Sequence, residues 1–261
     1  MPFSQIRTEV ADGICTVTLD RPEKLNPLST TTLLELVGAA AWFDDRPEVK
    51  VVVVGGKGRA FSAGADIEAF SGPDTGTAAQ REAADAGRQM AEAIEAMRAV
   101  TIARIQGHCV GGGVVLAAAC DLRIATTTAR FSIPEVALGI PLAWGGIPRL
   151  VREIGPAMTK ELVMTCRPFD ATEARALGLV NRVVGDDELD AAVEELVGQL
   201  SDKSPLTLQA TKQATNAAAR ELVSTANAWS DADALVTALR DHESRAVART
   251  YLSRLSERRE S

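Results

Sequence analysis

Histidine is nearly missing from this chain of 261 residues, which has two, His108 and His242. So few imidazoles give little support to a metal centre. Cysteine is scarce as well: Cys15, Cys109, Cys120 and Cys166 form no C-x-x-C pair and mostly sit in apolar contexts. They read as reduced core thiols rather than as disulfides or zinc ligands. No apolar run reaches the ~18 residues of a membrane-spanning helix. The first ten residues hold both acid and base and no apolar core of a secretory leader, so a cytoplasmic protein is expected. Positive charge is also short, with 28 Lys and Arg against 35 Asp and Glu and a net charge of −7. Nucleic-acid binding relies on clustered Lys and Arg, so that partner class is disfavoured. No internal repeat of 20–50 residues is visible, and proline disappears after Pro205.

What is present describes a soluble globular chain: 46% hydrophobic and 24% charged residues, long enough for one sizeable core or a domain with an appendage. Residues 4–10 and 14–20 alternate apolar and polar around Asp12-Gly13, a β-hairpin signal. Thr32 and Glu35 have capping-box spacing ahead of an apolar helix to about Phe43. Val49–Val54 is a buried β-branched strand. Residues 71–81 read as a loop over a site. From Glu82 to Met97, Ala83, Ala86, Met90, Ile94 and Met97 recur at helical spacing, and the two methionines are read as core rather than as the wall of an acyl tunnel. Strands Ile102–Gln106 and Leu122–Ala125 flank a small-residue helix, and strand–helix alternation predicts mainly parallel pairing. Pro156 opens a helix to about Cys166, Thr172–Leu177 is a helix stopped by Gly178, and Asn181–Val184 is a last strand. Beyond Asp186 the pattern is helical over 187–201, 205–227 and 229–257. The boundary is placed near residue 200, between a core (1–200) and a helical region (201–261). Val236, Leu239, Ala246, Val247, Tyr251 and Leu255 form an amphipathic stripe that needs a partner surface.

The centre of the sequence lies at residues 102–150. An apolar strand runs into Gly111-Gly112-Gly113 and then into the apolar run Val114–Cys120. Glycines before a helix allow close approach to backbone N–H groups that have no partner within the helix and sit at its positive end. A second stretch repeats the pattern: strand Val51–Val54, then the glycine-rich loop with Gly55, Gly56 and Gly58, then AFSAGADI (60–67), read as a helix start. Two such turns can aim two N–H groups at one developing oxyanion. Downstream, Ser132-Ile133-Pro134-Glu135 offers one carboxylate at a proline-marked turn, a candidate base.

The ordered blocks LDRPEKLNPLS (19–29), AFSAGADI (60–67), QGHCVGGG (106–113), ACDLRIA (119–125), FSIPEVALGI (131–140), GGIPRL (145–150) and EARALGLVNRVV (173–184) resemble the crotonase superfamily, the enoyl-CoA hydratase/isomerase family. The resemblance implies an α/β fold, a spiral of ββα turns with a C-terminal helical trimerisation region. It implies an acyl-CoA thioester substrate, no separate cofactor, and a homo-trimer or dimer of trimers. By the same resemblance the oxyanion-hole donors fall on Ala65 and Gly112 and the catalytic carboxylate on Glu135. Lys24, Ala63, Asp66, Ile67, Gly111 and Trp144 fall around the substrate, with Lys24 in a region that contacts CoA in relatives and Asp66 read as a structural neighbour of the hole.

One position departs from the hydratase pattern. Hydratases of this family carry a second glutamate two residues after the glycine triplet, where this chain has Val115. Adding water across a double bond divides naturally between two carboxylates, whereas a single carboxylate suits moving a proton from C2 to C4. Ala143-Trp144 replaces a small Gly-Ala pair and crowds the position of the water. The expectation is Δ3-Δ2 double-bond isomerisation. The alternatives are hydration with another water-handling group such as His108, another crotonase chemistry, or a trimer that binds acyl-CoA with little turnover. His108 itself is expected to be a satisfied buried histidine, and Asp121 with Arg123 a pair at the core edge.

Overall fold

The computed structural model describes residues 3–11, 13–66 and 77–260. The chain winds as successive strand–strand–helix turns. Strand β1 (Ile6–Ala11) folds back on β2 (Ile14–Leu19) as an antiparallel hairpin through Gly13 at φ +77, with Asp12 outside the described residues. Helix α1 (Thr30–Asp44) follows, then β3 (Val51–Gly56), β4 (Ala60–Ser62) and α2 (Thr77–Ala96). The next turn is β5 (Val100–Ile105), β6 (His108–Val110) and α3 (Gly112–Ala119). After it come β7 (Leu122–Thr126), β8 (Arg130–Ser132) and α4 (Gly146–Thr165). Then β9 (Phe169–Asp170), α5 (Ala171–Leu177) and β10 (Arg182–Val184) complete the sheets.

After the β1–β2 hairpin, each turn gives one strand to each of two sheets. The large sheet runs β1-β2-β3-β5-β7-β10 and is parallel from β2 onward, while the small one runs β4-β6-β8-β9. Both have the parallel character expected from strand–helix alternation, and β9 closes the small sheet antiparallel to β8. All six residues of β3 are buried because the large sheet is covered on both faces. Cys15, Val17, Val52 and Val54 face the main core, and Val51, Val53, Ile102 and Ile124 face Leu189, Val193 and Val197 of helix α6 (Leu189–Ser201). Helix α3 is apolar on every side and all eight of its residues are buried, so it runs through the middle of the molecule.

Several local expectations shift. Helix α1 starts before the Thr32–Glu35 spacing: its cap is Ser29, whose hydroxyl accepts from the Thr32 N–H at 3.2 Å. Glu35 instead reaches back to the edge of β1, accepting from the N–H groups of Ser4, Gln5 and Ile6. The loop placed at 71–81 lies outside the described residues as far as Gly76, and α2 begins at Thr77 rather than Glu82. Met90 and Met97 are core, as read. Helix α4 covers residues before Pro156 too: Gly155 at φ +74 breaks it, and Pro156 starts the second half. Asp121 and Arg123 do not pair with each other. Their side chains leave β7's start in different directions, Asp121 to Lys212 and Arg123 to Glu153, both at 2.7 Å.

The remaining helices are α7 (Pro205–Leu222), α8 (Asp231–Arg240) and α9 (His242–Glu260). The last expected helix is thus two, separated at Asp241, whose carboxylate caps the Ser244 N–H at 2.8 Å. The break splits the proposed stripe. Val236 turns into the main core, whereas Leu239 and Val247 are exposed and the Leu255 side chain lies outside the described residues. Among the described residues no helix is long and apolar enough to cross a membrane.

Candidate active site

The segment from Arg21 to Ser29 is the brace on which the first glycine loop is built. Leu25 and Asn26 both take left-handed φ values, 63° and 54°. That fold turns the buried Asn26 amide inward, where Nδ2 donates to the carbonyls of Lys57 and Ala60 at 2.9 Å and Oδ1 accepts from the Arg21 N–H. Ser62 then donates to the Asn26 carbonyl and accepts from the Gly64 N–H. Backbone bonds run alternately between the strips: Ala63 N–H to Leu25 O, Leu28 N–H to Gly64 O, and Asp66 N–H to Leu28 O. This alternation leaves the Ala65 N–H directed away from the brace, with no hydrogen-bond partner among the described residues.

The second loop meets it directly. Gly111 adopts φ +48, ψ −114, donates its N–H to Ser132 O at 2.8 Å, and presents its carbonyl to the N–H groups of Val114 and Val115. The Gly112 N–H, at the first residue of α3, has no partner among the described residues. It is therefore at the positive end of a wholly buried helix. The two turns touch: a Cβ added to Gly64, which sits at φ +92, would lie 2.7 Å from Val110 O and 3.6 Å from the Gly112 nitrogen. One added to Gly113 would lie 2.9 Å from Ser62 Cβ.

Glu135 stands over this junction. Pro134 opens a tight turn in which Leu138 N–H bonds to Pro134 O and Ile140 N–H to Glu135 O. Glu135 is 8% exposed and its Oε2 has no hydrogen-bond partner among the described residues. A Cβ on Gly111 would lie 2.2 Å from Glu135 Oε1, so only glycine lets the carboxylate settle there. Burial pushes its carboxyl from the ordinary 4.5 up to about 7, against a smaller opposing effect from its own backbone N–H. The first turn of α9 backs the same loop, since a Cβ on Gly139 would strike Ser244 O at 2.1 Å.

Val115 is fully buried and packs on the start of α4, where a Cβ on Gly146 would lie 2.8 Å from Val115 Cγ2. Trp144 lies between two glycines. A Cβ on Gly112 would be 2.3 Å from its Cζ3 and a Cβ on Gly87 of α2 2.0 Å from its Cδ2. Its backbone is left-handed at φ +64, its indole Nε1–H is buried without a partner among the described residues, and it is 4% exposed.

The other expected residues sort themselves by contact. Ala63 and Asp66 belong to the brace, and the Asp66 carboxylate is held by Arg21 Nη1 at 2.9 Å. Gly111 contributes its missing Cβ, its N–H being taken by Ser132. Lys24 is exposed at the outer end of the brace, and Ile67 lies outside the described residues. His108 is exposed on β6, not buried, because the strand's alternation turns Cys109 inward and its neighbours out. Sequence reasoning missed Asn26, Gly64 and Gly87. A lone glycine within the helical stretch 77–96 is the signal that pointed to Gly87, since such a residue carries a packing reason. Among the described residues no three His, Cys, Asp or Glu side chains cluster as a metal site.

Known proteins share this architecture. A family model described as enoyl-CoA hydratase/isomerase matches residues 9–260. The crotonyl-CoA hydratase of Syntrophomonas wolfei is 37% identical over 217 residues, covering 83% of each chain. The peroxisomal Delta(3,5)-Delta(2,4)-dienoyl-CoA isomerase of Arabidopsis thaliana is 34% identical over 218 residues, 79% of this chain and 78% of that one. Among solved structures, an enoyl-CoA hydratase from Mycobacterium avium subsp. paratuberculosis superposes with a TM-score of 0.87 at 28% identity, covering 97% of both chains. The ββα spiral, the two glycine turns and the match over nearly the whole length agree, and the chain belongs to the enoyl-CoA hydratase/isomerase family.

Proposed function

We propose that the protein isomerises a 3-enoyl-CoA thioester to the 2-enoyl thioester, with Glu135 as the only proton carrier. The thioester oxygen accepts from the Ala65 and Gly112 N–H groups. Their polarisation acidifies C2, Glu135 removes a C2 proton, and the electron pair spreads over the dienolate oxygen. The same carboxyl then returns the proton to C4, leaving the double bond between C2 and C3. Each hole donor is worth about 3 kcal/mol of transition-state stabilisation. The observation that carries this reading is the buried Glu135 carboxyl poised near neutrality, beside a wall that includes the Val115 side chain and the Trp144 ring. A base that must both take and return a proton works best with a pKa near the working pH. The Val115 side chain also gives a nucleophilic water no polar partner at its place in the wall.

Water addition is the second reading, favoured by the hydratase names of several relatives. The two separate cleanly when 2-enoyl and 3-enoyl thioesters are each incubated in oxygen-18 water. Isomerisation interconverts them with no labelled 3-hydroxy product, and accumulation of that product overturns the proposal. Glu135→Gln should lower kcat by about 10²–10⁴-fold while CoA-thioester binding persists.

A further inference from the structure

Trp144 is held more firmly than a wall residue needs to be. Its left-handed backbone is a strained state for a bulky residue. Such a state persists only where the surroundings dictate it, and three contacts, two of them fully buried, do so. Arg149 Nη1 donates to the carbonyls of Trp144 and Gly145, at 3.3 and 3.1 Å. The Gly145 N–H donates to Asp231 Oδ2 at 2.8 Å. Arg149 is itself 2% exposed and anchored by the Glu95 carboxylate. The ring these contacts orient is flanked by Gly87 and Gly112, which have no side chains to displace it.

The orientation matters because of which edge meets which glycine. The benzo edge, at Cζ3 and Cη2, abuts Gly112, while Gly87 meets the ring at Cδ2, Cε2 and Cγ. Gly112 carries the N–H that would hold the thioester oxygen, and with the indole edge against that same residue the acyl carbons nearest the oxygen would run beside the ring. A planar, unbranched C2–C3 unit would lie closer to a flat ring than one carrying a methyl branch at either carbon.

We infer that Trp144 restricts this enzyme to acyl groups unbranched at C2 and C3, with Asp231 and Arg149 as the positioning residues that hold it. The inference rests on the acyl-CoA reading of the cleft but not on which double-bond chemistry occurs there. Its test is therefore a binding measurement. Calorimetric titration with three isomeric saturated thioesters, pentanoyl-, 2-methylbutanoyl- and 3-methylbutanoyl-CoA, isolates branching from size, with CoA alone as the baseline. The native protein should prefer the straight chain by about tenfold or more, the discrimination one misplaced methyl group brings in a fitted pocket. Trp144→Ala should bring the three to within about threefold of one another. Should that variant fail to fold, the Asp231 pair decides. Asp231→Ala should relax the preference in the same direction, and Asp231→Asn, whose side-chain carbonyl can still accept from Gly145, should restore it. Equal binding of the three isomers by the native protein, or a native preference retained in both Trp144→Ala and Asp231→Ala, overturns the inference. Thioesters that bind no better than CoA overturn the acyl-CoA reading itself.

Discussion

Replacing Glu135 with glutamine should stabilise the protein, and only above a definite pH. Burial raises this carboxyl from 4.5 to about 7, so between those values the folded chain holds a proton that the unfolded chain has released. Stability therefore falls as pH rises from about 4.5 and levels off above about 7. A shift of roughly 2.5 units at about 1.4 kcal/mol per unit corresponds to about 3 kcal/mol of stability lost at pH 8 relative to pH 4.5. Glutamine cannot ionise and escapes that loss. Both the protonated acid and the amide bury an unsatisfied polar group, so that cost largely cancels between them. Chemical denaturation of the two proteins at several pH values reads the difference directly. The variant's advantage should be near zero at pH 4.5, grow through pH 6, and reach about 3 kcal/mol at pH 8. A difference that does not vary with pH, or a glutamine variant less stable at pH 8 than at pH 5 relative to the native protein, refutes the assignment of a desolvated carboxyl at this position.

The same group sets the rate. With Glu135 as the base, kcat/KM should fall about tenfold per pH unit below a midpoint near 7 and level off above it, and steady-state kinetics over pH 5–9 check this. Gly111→Ala places a Cβ 2.2 Å from Glu135 Oε1 on a backbone at φ +48. It should cost about 1–3 kcal/mol of stability and move the midpoint of the rate profile as the carboxylate is forced from its seat, both readable from denaturation and pH–rate curves.

The strands of the large sheet and their parallel pairing were legible in the residues themselves, while the spiral that winds them came from the family resemblance. Buried strands announce themselves as β-branched runs such as Val51–Val54, and the glycine turns as interruptions between strand and helix. Both signals are local and survive in one dimension. The two glycine turns meet, and Glu135 reaches Gly111 of the second, because the local rules at 60–66, 111–113 and 134–135 are each strong. What the sequence hid depends on distant partners. The cap of α1 went to Ser29 because Glu35 found better donors at Ser4, Gln5 and Ile6, some thirty positions away. Asp121 and Arg123, two residues apart, found Lys212 and Glu153 instead of each other. His108 looked like a buried residue because it sits between apolar neighbours, but strand alternation alone decides which of those neighbours faces in. Gly87 carried the clearest overlooked signal, and its meaning became plain only when the indole of Trp144, over fifty residues on, was seen against it.

The tie between Gly145 and Asp231 has a consequence for how the protein comes to be made. Among the described residues every strand precedes residue 185, so a chain leaving the ribosome has all of its sheet-forming sequence before Asp231 is synthesised. The glycine amides and the acid are thus encoded early, and the hook that fixes the neighbouring indole arrives almost last. A chain cut short after the strands would lack that hook together with the helical cover of the large sheet and the Val236 side of the core, so its packing would fail along with the seating of the indole.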